Sequence, residues 1–131
     1  MNASSQHIAK LLLSFLLLCS CIVVKCRFNN GSVYKTCNHS TYSSISDPYY
    51  DDLWNVLDDL MLHTSKDYNY YAKYHSCYGH AACFGALAKS NCDDCVDYAK
   101  DFLHDECDLS HGAQVQLQDC RMRYEDYPFI E

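Results

Sequence analysis

Three cysteines, Cys83, Cys92 and Cys95, stand at C-x8-C-x2-C spacing in "CFGALAKSNCDDC". A cluster of this kind supports zinc binding, dithiol exchange or covalent cross-linking. A structural zinc site needs two further ligands, and His104 and His111, the candidates downstream, form no paired ligand motif. A redox C-x2-C works at a helix start in a reducing compartment. The helix start fits residues 91–107, but four more cysteines (Cys37, Cys77, Cys107 and Cys120) crowd the same 27–131 region. Cysteine crowding in an exported chain of this size favours structural bridges, and no metal or cofactor is expected. Cys77 also lies between His75 and His80 in "HSCYGH", so a thiolate nucleophile is conceivable there. No acid–base pair or nucleophile elbow accompanies it, and an enzyme is not expected.

Export rests on the N-terminus. Residues 11–24, "LLLSFLLLCSCIVV", form an apolar run between Lys10 and Lys25. That is the pattern of a secretory signal peptide, and it is short against the roughly 20 apolar residues of a membrane span. The signal segment is placed at residues 1–26, with cleavage after 21 or after 26, and one domain at 27–131. The later cut leaves seven cysteines and the earlier one keeps Cys26 as well. No second apolar run follows, and "YEDYPFIE" carries neither a lipid-anchor tail nor a retention signal, so a soluble secreted protein without membrane insertion is expected.

The chain carries a formal charge of −7, and from Arg27 onward 8 Lys+Arg face 17 Asp+Glu. An acidic surface repels phosphate backbones and anionic lipid heads, which excludes nucleic acid and a cationic membrane-lysing mode. Sequons at Asn30 and Asn38 are possible N-glycosylation sites. The 12 tyrosines suit sugar stacking, a protein interface, or simply a small sheet with hydroxyls at its rim.

The elements that must position these residues read as follows. "SVYKTC", 32–37, has strand formers. Residues 47–64 read as an amphipathic helix capped by Asp47, with Pro48 in its first turn and Leu53, Leu57, Leu60 and Met61 at helical spacing. Residues 68–87 read as two strands, with Gly79 near a bend or bulge. Residues 91–107 read as a helix capped by Ser90 or Asn91, with Cys92, Cys95, Ala99, Phe102 and Leu103 on one face. In residues 112–129, Val115 and Leu117 alternate with Gln114, Gln116, Gln118 and Cys120, predicting a strand and then another. Strands with helices on them give an α+β fold.

The C-x8-C-x2-C spacing, the "YGHAAC" before it and the "GAQVQLQDC…YE…F" ending resemble the ginkbilobin-like family, over residues 33–129. These are plant cysteine-rich secreted domains, found singly or repeated in receptor-kinase ectodomains. The resemblance implies a five-stranded antiparallel sheet packed with two α-helices, and disulfides Cys37–Cys107, Cys83–Cys92 and Cys95–Cys120. Cys77 falls outside that set. It is left to pair with Cys26, to link two chains as a homodimer, or to remain buried and free. The resemblance further implies antifungal activity coupled to mannose binding in the apoplast. The family's sugar ligands fall at Asn38, Gln114 and Glu125 here, with Gln114 in place of an arginine, so altered or weakened sugar binding is expected. The partner is then a mannose-containing glycan of the fungal wall. The other reading is a protein-interaction module for a receptor ectodomain or another secreted protein.

Overall fold

The structure, a computed structural model, describes residues 2–24 and 28–131, with side chains for 2–15 and 28–131. Both cleavage junctions touch side chains or residues outside this set, as does any Cys26 pairing of Cys77. Helix α1 spans Ala3–Val24. Among the described residues no helix is long and apolar enough to cross a membrane.

The domain that follows is the predicted α+β unit. It comprises β1 (Ser32–Cys37), α2 (Pro48–Asp67), β2 (Asn69–Tyr74), β3 (Cys77–Cys83), α3 (Lys89–Glu106), β4 (Ala113–Leu117) and β5 (Cys120–Glu125). The five strands form one antiparallel sheet in the order β1-β4-β5-β3-β2. Bridges join Cys37 to Cys107, Cys83 to Cys92 and Cys95 to Cys120. They tie β1 to the end of α3, β3 to its start, and its first turns to β5.

Helix α2 starts where Asp47 and Pro48 place it, with the Asp47 carboxylate accepting from the Tyr49 N–H at 3.0 Å. It runs three residues beyond the expected end. Thr64 is buried there and returns its hydroxyl to the Leu60 carbonyl, and the left-handed Tyr68 (φ 62°) closes the helix. Helix α3 corrects the sequence reading at its start. Its N-cap is Ala88, which gives no side-chain hydrogen bond, and Ser90 and Asn91 lie inside the first turn. The start is set instead by the Cys83–Cys92 bridge and by the Cys92 N–H bond to the Ala88 carbonyl.

Leu53, Val56, Leu57 and Leu60 of α2 and Val96, Ala99 and Leu103 of α3 bury against Ala81, Val115, Leu117, Met122 and Tyr124 of the sheet. Each large aliphatic buried in this way stabilises by about 1.5–3 kcal/mol. Phe102 is only partly buried at the edge of this face. Cys120 faces the core although it shares its parity with the glutamines, because residues 118–119 form a bend that resets the alternation. Gly79 also differs from its reading: it lies in regular pairing opposite Ala72 and Tyr124, with no bulge. A Cβ there would stand 2.4 Å from Val56 Cγ1 and 2.9 Å from Leu60 Cδ1. Glycine is required by the close approach of α2, not by a bend.

Strand alternation sends the other side chains to the opposite sheet face. Thr36 pairs across from Gln114, Gln114 from Arg123, Arg123 from His80 and His80 from Tyr71, giving one row over all five strands. Glu125 is two residues beyond Arg123 on that same face.

Candidate functional site: a cleft at the end of the sheet

At one end of this row the structure brings Asn38, Gln114 and Glu125 together around a cleft of about 290 Å³, with Thr36, His39 and Gly112 completing its wall. Three separate elements meet here. Cys37 closes β1 opposite Ala113 and is bridged to Cys107, so the chain leaving β1 is held at the cleft. The Asn38 N–H donates to the Gly112 carbonyl at 2.7 Å, and the Ser110 hydroxyl donates to the Asn38 carbonyl at 3.2 Å. From below, the Tyr124 hydroxyl donates to the Ser110 carbonyl and the Tyr49 hydroxyl to the His111 carbonyl. The loop carrying Gly112 is therefore fixed from both helix and sheet.

The three side chains differ in what they offer. Asn38 is exposed, and its Oδ1 accepts from the Ser40 N–H at 3.2 Å, which leaves its amide nitrogen as the free donor. Gln114 is half-buried and brings both a donor and an acceptor. Glu125 is 8% exposed; its Oε1 accepts from Arg123 Nε at 3.0 Å, and its Oε2 is buried without a partner among the described residues. A Cβ on Gly112 would fall 2.0 Å from that Oε2, so the glycine makes the room the carboxylate occupies.

Arg123 was not singled out by sequence reasoning. Its guanidinium also donates to Glu131 at 2.9 Å and to the Tyr127 hydroxyl at 3.2 Å, and it stands 4.3 Å from the Phe129 ring centroid. Burial opposes its charge, but the bonds to Glu131, Glu125 and Tyr127 outweigh burial and hold its pKa above the ordinary range. The signal was present as R-x-E in "CRMRYE", since residues two apart on a strand share a face. Farther along the row His80 is buried, and burial first, then the Arg121 charge, lowers its pKa.

The family described as salt stress response/antifungal matches residues 25–127. The chain belongs to this family. Among salt stress response/antifungal relatives, the antifungal protein ginkbilobin-2 of Ginkgo biloba is 28% identical over 90% of this chain and 92% of its own length. An antifungal ginkbilobin-like protein of Picea abies is 29% identical over 77% of this chain and 98% of its own. Among solved structures, the tandem DUF26 ectodomain of a cysteine-rich receptor-like protein of Arabidopsis thaliana aligns with a TM-score of 0.68 at 25% identity. That alignment covers 74% of this chain and 46% of the ectodomain, so the chain spans about half of it.

The seventh cysteine of this salt stress response/antifungal domain does not form a catalytic dyad. Cys77 is 0% exposed at the start of β3 and faces the helices, whereas His80 faces the other side of the sheet and His75 bonds Asp52 at the surface. Burial pushes the Cys77 thiol up to about 12. An enclosed thiol of that kind is a poor nucleophile. For residues 27–131 with the three bridges intact, we expect no reaction of native protein with a thiol-specific disulfide reagent at neutral pH, and one equivalent after addition of denaturant. Rapid labelling of the native protein would contradict the burial.

Proposed function

We propose that this protein is a secreted defence protein that acts on fungi by binding mannose-type glycans in the cleft of Asn38, Gln114 and Glu125. Residues 1–26 are its signal segment in this reading, and the apoplast is its place of action. The observation that carries the reading is the convergence of an amide donor, a second amide and a buried carboxylate from three elements onto one cleft. Planar amide and carboxylate groups match the paired hydroxyls of a hexose. Family membership and the two antifungal relatives support the defence role.

Gln114 lowers the expected strength, since a neutral amide lacks the charge assistance that can roughly double a hydrogen bond. Asn38 is also the acceptor of an exposed sequon, and a glycan on it would occupy the amide nitrogen that faces ligand. The test is an NMR shift titration with mannose on protein made without glycosylation. Localised shifts at Asn38, Gln114 and Glu125 are expected at millimolar sugar, and Asn38→Ala is expected to abolish them with the fold intact. No shifts at that concentration would sink the sugar reading. The second reading, an interaction module for a receptor ectodomain or secreted protein, is favoured by the likeness to the receptor-like ectodomain. It predicts a protein ligand whose binding is indifferent to added sugar.

A further inference from the structure

The cleft wall contains one Asp, Glu, Lys or Arg side chain, Glu125. Its carboxylate is largely removed from water, and one of its oxygens has no donor among the described residues. The guanidinium that meets the other oxygen is shared. Arg123 binds Glu125 through Nε and Glu131 through Nη1, while its Nη2 goes to the Tyr127 hydroxyl. Two carboxylates share this guanidinium, and Arg121, the other cation on this face of β5, is not among the partners of Glu125. Neither arginine lines the cleft: Arg121 and Arg123 line the adjoining recess with Tyr34, His80 and Glu131. Lys35, the lysine nearest Asn38 in the chain, is engaged by Glu106. The floor of the cleft therefore holds a negative charge that its own wall does not offset, in surroundings where reduced water access strengthens the field.

We infer that the cleft selects sugars carrying a protonated amine, glucosamine units free or in an oligomer, over neutral hexoses. The inference rests on the reading of the cleft as a sugar site and names the class of sugar. The ring hydroxyls meet the Asn38 amide nitrogen and the Gln114 amide, and the ammonium lies toward Glu125. An ammonium facing the carboxylate adds an attraction between two full charges that a neutral hydroxyl at the same place lacks. N-acetylation keeps the ring and removes the charge, so glucosamine and N-acetylglucosamine separate the two contributions.

The experiment is calorimetric or NMR titration of unglycosylated protein, with its three bridges intact, against glucosamine, N-acetylglucosamine, mannose and glucuronate at neutral pH and low salt. Glucosamine is expected to bind about tenfold tighter than mannose or N-acetylglucosamine, with glucuronate the weakest. Glu125→Gln is expected to bring glucosamine down to the level of mannose. Should that variant fail to fold, the unmutated protein gives the same answer through glucosamine against N-acetylglucosamine, which share a ring and differ in charge, and equal binding of the two would overturn the proposal. Mannose binding as tightly as glucosamine would overturn the charge selection and leave the sugar site standing. Binding of no sugar would overturn both. Lysine amide competing as well as glucosamine would also overturn the proposal, since the site would then read an amine without a ring.

Discussion

Replacing Cys37 and Cys107 together with alanine is expected to lower the unfolding free energy by about 4 kcal/mol and to abolish the sugar response. This bridge spans 70 residues, against 9 and 25 for the others, so its loss returns the most freedom to the unfolded chain. The local effect is as large. Strand β1 is an exposed edge strand that pairs with β4 alone, and the bridge pins the end from which Asn38 projects. Without it the last residues of β1 fray and one side of the cleft is lost while the core persists. Chemical denaturation checks the first part, and hydrogen exchange the second: amides of β1 should lose protection well before those of β5. An unchanged unfolding midpoint with β1 still protected would refute the account.

Gly112→Ala is the second large effect. The added Cβ would stand 2.0 Å from Glu125 Oε2, 2.8 Å from its Cδ and 3.3 Å from the Tyr124 carbonyl oxygen. The carboxylate has to leave its place, and the backbone of β5 limits how the loop gives way. Overpacking of this kind costs about 1–3 kcal/mol. The displaced Glu125 also gives up its bond to Arg123, so a second readout accompanies the stability loss. The Arg123 Nε–H resonance should shift and broaden, and sugar binding should fall at least tenfold, as expected for losing a charge-assisted contact. Gly85→Ala is the control, because a Cβ at Gly85 meets nothing within 4 Å. If Gly112→Ala behaved like Gly85→Ala, the tight seat of Glu125 would be disproved.

Much of this was legible in the residues, for identifiable reasons. Asp47-Pro48 marks a helix start through local chemistry, and the alternation of Val115 and Leu117 with glutamines marks a half-buried strand, so both survive folding unchanged. The start of α3 was misplaced because a disulfide, not a side-chain cap, defines it. Gly79 was misread because its cause is a helix that arrives from elsewhere in the chain. The positions of Asn38, Gln114 and Glu125 came from resemblance; that they share a cleft depends on pairing between β1, β4 and β5, which local pattern does not specify. Arg123 escaped for a similar reason: its importance lies in Glu131, Tyr127 and Phe129, residues beyond the last strand that fold back onto the sheet.

Cys77 has a consequence for how the bridges keep their partners. A domain with three disulfides and one spare thiol carries its own reshuffling agent, since a thiolate attacks any bridge it reaches and passes the error along the chain. Here the spare sulfur is sealed between α2 and the first pair of β3, and its raised pKa leaves almost none of it ionised. While the fold keeps Cys77 enclosed, the three bridges are closed to attack from within.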